Sequence, residues 1–460
     1  LTFDTEPSIE ETPPSGGREL VVAYLPQIWV MTIGVFNFAV LSRLLEPAGM
    51  GAYATCTVFV LLLTQLFLMG TEFGTQYFMM DKKITVDEAV TLNLIYSTLA
   101  ALLAVTSGIL LIRLDLGVLR ILFEQAPNDS LYLSTTMILP LAINHSFTIQ
   151  LSGLRRYGIL ARAQLFRTIA QTAVVLGLVW IFDMGINGGI LSLTVSHIVL
   201  LVLLSRDLRR EYGISLRMPR RHWFVRTVGY GVRANPLHIG MGLERRMGIT
   251  GLNVTSEGAE VGFFSTAISH ISRFVEIPQV VGVVIYPRLF GNEEEEERSA
   301  DVVAFSLWLR LMGVFMVAVA VLLIAFSWPL VRVLHGPKYM EVIPLLWILA
   351  PGLVAMALAA VLAPYFNSLE KPGVTSWSMG MGVLVNLVGL LILLPVIGTH
   401  GAAVALTAGV SCRALVLVVA FHRTSGLSVL KVWLLRKQDF AYLMAIIRDV
   451  RGMARRSTKT

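Results

Sequence analysis

The sequence predicts an all-α polytopic membrane protein with about twelve transmembrane helices in two parallel six-helix repeats. Three observations carry that prediction. The chain has 460 residues, 55% hydrophobic and only 15% charged, whereas a soluble domain has nearer a quarter charged residues. Apolar windows of the ~20 residues needed to cross a bilayer recur along almost its whole length. Finally, parts of the chain are written twice. Pro26 followed by Met50-Gly51-Ala52-Tyr53-Ala54-Thr55 returns as Pro236 followed by Val261-Gly262-Phe263-Phe264-Ser265-Thr266. Gly185-Ile186-Asn187-Gly188-Gly189 with Leu193-Thr194 returns as Gly398-Thr399-His400-Gly401-Ala402 with Leu406-Thr407. From 51 to 262 and from 185 to 398 the shifts are 211 and 213 positions, so one displacement nearly superimposes both echoes. Tandem halves in an apolar chain are a hallmark of transporters, with the substrate site between them.

The apolar windows place spans near 20–42, 51–72, 89–112, 130–152, 164–182, 186–204, 226–252, 261–287, 304–334, 341–366, 373–395 and 399–421. Long continuous runs exclude a β-barrel, whose strands are short and alternating. An even number of spans per half makes both halves enter from the same side, hence parallel repeats. The expected organisation is a disordered cytoplasmic tail at 1–19, a first six-helix lobe at 20–204 and a basic linker at 205–225. A second lobe at 226–421 and a basic tail at 422–460 complete it. In that last tail Phe440, Leu443, Ile447 and Val450 fall at helical spacing among basic residues, the pattern of an interfacial amphipathic helix over 428–451. Arg436, Lys437 and Asp439 argue against a thirteenth span there. Acidic residues before the first apolar run speak against a cleavable signal peptide.

Positive charge sets the expected orientation. Lys82, Lys83, Arg155, Arg156, Arg162, Arg206, Arg209, Arg210, Arg217, Arg220 and Arg221 fall in one set of loops, together with the basic tail. The other set keeps Arg43, Arg113, Arg120 and Lys338. This bias puts both termini in the cytoplasm and the chain, multi-pass, in the cytoplasmic (inner) membrane. The net charge of +7 then reflects anchoring to membrane lipids and requires no nucleic-acid partner. The run Glu293–Glu297 reads as a solvated linker.

Catalytic and cofactor chemistry find no foothold. Cys56 and Cys412 lie in separate spans and read as small buried hydrophobes, without disulfide or metal spacing. There is no P-loop, nucleophile elbow or HExxH motif, so neither an enzyme nor a bound cofactor is expected. Asn128-Asp129-Ser130 and Asn253-Val254-Thr255 match the glycosylation sequon, a pattern short enough to arise by chance.

The chemistry lies in charges at bilayer depth, each of which costs about 3 kcal/mol to insert. The seventh span carries Arg233, Glu244, Arg245 and Arg246, and the eighth carries His270, Arg273 and Glu276 at i, i+3 spacings. Pro278 follows and is expected to break that helix near the midplane. Arg310 and Arg413 add positive charge, and Glu72 a negative one. Arginine therefore outnumbers carboxylate, and a cavity lined by these groups suits an anionic head group, above all a phosphate matched by the guanidinium fork. The competing reading makes Arg273 with Glu276, and Glu244 with Arg245, structural ion pairs. His145, His197 and His238 read as hydrogen-bonded packing residues, and Pro26, Pro140, Pro236, Pro344 and Pro364 as kinks.

With these elements placed, Leu41-Ser42-Arg43-Leu44-Leu45-Glu46-Pro47-Ala48-Gly49-Met50-Gly51-Ala52-Tyr53 and Val261-Gly262-Phe263-Phe264-Ser265-Thr266-Ala267 resemble matching blocks of the polysaccharide (O-antigen type) flippases. That family belongs to the multidrug, oligosaccharidyl-lipid and polysaccharide exporter superfamily. Tyr286-Pro287-Arg288, His335-Gly336-Pro337-Lys338-Tyr339, Asn386 and Leu394-Pro395-Val396-Ile397-Gly398-Thr399-His400-Gly401-Ala402-Ala403 extend the likeness over roughly 20–421. One departure is Arg246, an added charge after the pair Glu244-Arg245. The resemblance implies a V-shaped bundle of two lobes that expose a central cavity by alternating access. It implies as substrate a polyprenyl-diphosphate-linked oligosaccharide, moved from the inner to the outer leaflet for cell-surface polysaccharide export. Polysaccharide polymerases or glycosyltransferases are the implied partners.

Two other functions compete. A cation-coupled multidrug exporter of the same superfamily is expected to carry intramembrane carboxylates, where arginines prevail here. A polytopic glycan polymerase or ligase is expected to carry a large outer loop, whereas the longest hydrophilic loops fall on the basic side.

Overall fold

The computed structural model describes residues 16–114, 120–213, 215–289, 295–369 and 371–425, which are helical without a strand. The tail expected at 1–19 up to residue 15, Glu293 and Glu294 of the acidic run, and the interfacial helix expected over 428–451 lie outside the described residues.

Helix α1 (Gly16–Leu68) is two helices joined at Glu46, whose φ of 58° and ψ of 172° interrupt the helical backbone. Pro47 explains the position, because proline disfavours the α conformation in the residue before it. A second break at Met69 and Gly70, both with positive φ, introduces the short α2 (Thr71–Met80). Helix α3 (Val86–Arg113) opens on a capping box in which Thr85 and Glu88 satisfy each other's free N–H groups. The fourth expected span is α4 (Asn128–Ser134), a 3-10 turn over Thr135–Met137, and α5 (Ile138–Gly153), with Pro140 in the first turn of α5. The first half ends with α6 (Tyr157–Val175), a π turn over Leu176–Ile181, and α7 (Gly185–Tyr212).

The second half begins with α8 (Arg221–Thr255) and α9 (Gly258–Leu289). Helix α9 runs through Pro278, so the break expected there is absent. Packing against α1 on one side and α12 (Val342–Ser368) on the other compensates one lost backbone bond, as neighbouring helices do in membrane bundles. The span expected at 304–334 is instead α10 (Glu295–Ala325) followed, after a 66° bend, by α11 (Ser327–Leu334). Helix α13 (Pro372–Ser425) is again two helices, joined across Ile397 and Gly398. Six of these helices, or seven with the bent pair, are long and apolar enough to cross a membrane, and the count treats α1 and α13 as single helices. Divided at their breaks, the helices follow the twelve-span order in two sets of six.

Both echoes of the sequence have structural counterparts. Gly185 and Gly398 both take a positive φ, 52° and 53°, at the entry to the last helix of each half. Gly51 and Gly262 face each other where α1 crosses α9. A Cβ on Gly51 would collide with the carbonyl of Gly258, and one on Gly262 with the carbonyl of Pro47. The block around Gly51 and Gly262 is thus one surface by which the halves touch. One core continues through it, joining Leu41, Met50 and Phe59 to Val261, Phe264 and Leu346. Helix α12 is apolar on every side and largely enclosed. Leu102, Trp180 and Leu391 instead point outward, 60%, 65% and 70% exposed, an apolar outer surface that demands lipid.

Candidate functional site

The halves meet along a seam with two closed ends and charged groups between them. At the end opposite the basic loops, Arg43 on α1 donates through Nε to the Leu334 carbonyl at 2.9 Å and also contacts the Val333 carbonyl. Glu46 pairs with Lys338 there. Below lies a buried polar chain. Ser42 donates its hydroxyl proton to the Ala39 carbonyl at 2.9 Å, so it accepts from His335 Nδ1 at 2.5 Å. In the neutral pair His335 Nε2 then accepts from His270 Nε2–H at 2.7 Å. The Tyr339 hydroxyl donates to the Ser42 carbonyl at 2.8 Å. At the basic end α2 leans on α8, with Tyr77 stacked on Tyr230 at 4.3 Å and Phe78 against Trp223.

Between these ends the structure gathers part of the expected cluster. One turn along α9 from His270, the half-buried Arg273 crosses to the first half, its guanidinium 5.8 Å from the Phe38 ring and packed on Gly34. Arg246 crosses in the same way, donating to Gln65 Oε1 at 3.2 Å. Glu276 is within Coulombic reach of Arg273 and also of Arg245, on which Glu244 acts more strongly. Glu276 is also within reach of Arg167, a half-buried residue of α6 that the sequence reading did not single out, and Arg167 and Arg273 both act on Tyr53. The cationic cluster therefore draws on both halves.

Four expected residues stand apart. Glu244 and Arg413 form a buried pair at 3.1 Å inside the second half, where Asn386 Nδ2 donates to the Glu244 carbonyl at 2.8 Å. The expected alternative partner, Arg245, is the sequence neighbour, but Arg413 on α13 makes the bond. This charge is spent on holding α8 to α13. Arg233 is exposed on α8, and its Nε donates to the Gly229 carbonyl of its own helix at 3.1 Å. Arg310 is buried on α10 and engaged there.

Arg167 was missed because it sits three residues inside the expected fifth span, beside the basic loop residues Arg155, Arg156 and Arg162; its depth was the available signal. The second sequon is closed to modification, since Asn253 is buried and accepts from Thr55 at 2.8 Å. A separate open cleft of about 380 Å³ beside it is lined by Glu124, Glu257 and Glu260, a charge unsuited to phosphate. Among the described residues no group of three or more metal-ligating side chains occurs.

An all-helical double bundle with a seam of buried charge is the architecture of a membrane carrier, and comparison with solved structures places the fold. The lipid II flippase MurJ in an inward closed conformation superposes with a TM-score of 0.65 at 13% identity, over 96% of this chain and 100% of that one. A transporter of the MOP superfamily from Pyrococcus furiosus, reported for the reverse polarity of its binding pocket, gives 0.63 at 13% identity over 89% and 96%. An outward-facing multidrug resistance transporter of the MATE family gives 0.62 at 14% identity over 89% and 96%. No curated protein matches the sequence. The profile of a family described as polysaccharide biosynthesis protein matches residues 40–344, and the chain belongs to that family. It is a multi-span membrane protein with the fold of the MOP-superfamily flippases and exporters, and those relatives are transporters rather than catalysts.

Proposed function

We propose that this protein flips a polyprenyl-diphosphate-linked oligosaccharide from the inner to the outer leaflet by alternating access, with both termini in the cytoplasm. The observation that carries the reading is the two-sided cationic cluster. Arg167 comes from the first half, Arg245, Arg246 and Arg273 from the second, with the carboxylate of Glu276 among them and Glu244 of the buried pair beside Arg245. A diphosphate placed there would be held by guanidinium forks from both halves, so its binding would draw them together. The sugar would occupy the shielded path while the polyprenyl tail remains in lipid, avoiding the cost of dragging hydroxyls and charge through hydrocarbon. Membership of a polysaccharide biosynthesis family supports the glycan, and the superposition on a lipid II flippase supports a lipid-linked cargo. The expected polymerase or glycosyltransferase partners belong to the same proposal.

A multidrug exporter of the same fold is the competing reading. The purified protein in liposomes, offered a fluorescent lipid-linked oligosaccharide and a panel of cationic drugs in parallel, separates the two. Glycan exposure at the far leaflet without drug uptake is the expected result. Drug uptake without glycan flipping would overturn the proposal.

A further inference from the structure

Away from the arginine cluster, one buried charge lacks the partners it needs. Glu72 is 3% exposed. Its Oε1 lies 3.3 Å from His145 Nε2 on α5, whereas Oε2 is buried with no hydrogen-bond partner among the described residues. The hydroxyl of Thr75, one turn further along α2, is committed elsewhere, donating to Asn93 Oδ1 at 2.6 Å and lying 2.9 Å from the Glu72 backbone carbonyl. His145 packs edge-on against Phe73, and its side chain is 42% exposed, so it connects the enclosed carboxylate to open space.

We propose that Glu72 and His145 form a proton-binding site through which the carrier draws on a proton gradient. The proposal rests on the chain being a carrier, and it does not depend on the cargo. With one proton the pair is carboxylate and imidazolium, a neutralised contact. With two, Glu72 becomes a carboxylic acid that can remain buried. With none, a bare carboxylate is left in a low-dielectric site with an unmet oxygen, the state that burial penalises most. Glu72 also stands in the first turn of α2, where the helix dipole favours negative charge.

Position links occupancy to movement. The site follows directly on the break at Met69 and Gly70, and α2 rests on α8 of the other half at Gly70 against Gly231 and Gly74 against Thr227. Losing the proton favours hydration of Glu72, which requires α2 to leave that contact. Proton release thereby opens the basic end of the seam. Of the elements packed on α2, α5 supplies His145 and α3 supplies Tyr96, whose hydroxyl meets Thr227 at 2.8 Å. Helix α8 supplies Tyr230, stacked on Tyr77, with Arg226 and Arg233 exposed beyond it. The His270–His335 pair differs, because its chain ends on Ser42 and the Ala39 carbonyl and needs no further proton.

The test uses the full-length protein in liposomes, with infrared difference spectra across a pH step and lipid-linked glycan flipping with and without an imposed pH gradient. The wild type is expected to show the carbonyl band of a protonated carboxylic acid and to respond to the gradient, up to about tenfold per pH unit for one proton per cycle. Glu72→Gln, which mimics the protonated acid, is expected to lose the band and the gradient response and to flip glycan more slowly than the wild type. His145→Gln is expected to keep the band and shift its pH midpoint. A band that survives Glu72→Gln, a wild-type gradient response in that variant, or an unmoved midpoint in His145→Gln would each overturn the proposal. If no glycan moves at all, the cargo reading fails, and the infrared band still decides the proton site.

Discussion

The first half holds its membrane-depth charges apart, Glu72 beside His145 at the start of α2 and Arg167 on α6. The second half crowds them onto two neighbouring helices, Glu244 to Arg246 on α8 and Arg273 with Glu276 on α9, and adds Arg413 on α13. Yet both are built from the same blocks, which meet face to face at Gly51 and Gly262. Small residues preserved in both copies hold the halves together, and charges that differ between the copies give each half its own task. On this account the second half supplies most of the anion-binding cluster, and the first contributes Arg167 and the proton site.

The comparison breaks most visibly if the buried pair of the second half is not structural. Glu244→Gln leaves Arg413 without its counter-charge and is expected to cost about 3–5 kcal/mol of stability, read as a large fall in melting temperature. Next in size, Arg167→Ala and Arg273→Ala, one from each half, are each expected to weaken binding of the anionic lipid by about 1.5–3 kcal/mol, with folding retained. Unequal losses would show that one half does the holding alone. Gly51→Ala or Gly262→Ala should force the halves apart at their shared crossing, at about 1–3 kcal/mol each, measurable as a lower melting temperature. Arg233→Ala marks the other extreme. Its exposed side chain is satisfied within its own helix, and an effect within about 0.5 kcal/mol on stability, with unchanged binding, is expected.

How much of this was legible in the sequence varies by feature. The helical bundle and its twofold plan were legible because apolar run length and small-residue echoes are local signals. Breaks were less so. Pro278 looked like a stop, but packing by α1 and α12 holds the helix through it, whereas the real interruption at Met69 and Gly70 has no proline to announce it. Site membership was half legible. Depth picked out Arg245, Arg246, Arg273 and Glu276 as candidates, but which of several arginines meets which carboxylate depends on helix rotation and on partners far along the chain. Glu244 lies 169 positions from Arg413, and no spacing rule connects them. Arg233 was drawn in by its depth in the seventh span, while its actual direction is set by the face α8 turns outward.

The central claim is that arginines from both halves hold a diphosphate. Binding of a polyprenyl diphosphate lipid, against the matching monophosphate, to the purified wild type and to Arg167→Ala, Arg273→Ala and Arg233→Ala measures this most directly. The account predicts a preference for the diphosphate that is lost in Arg167→Ala and in Arg273→Ala and kept in Arg233→Ala. Equal binding of the two lipids, or a preference that survives both cluster substitutions, would contradict it.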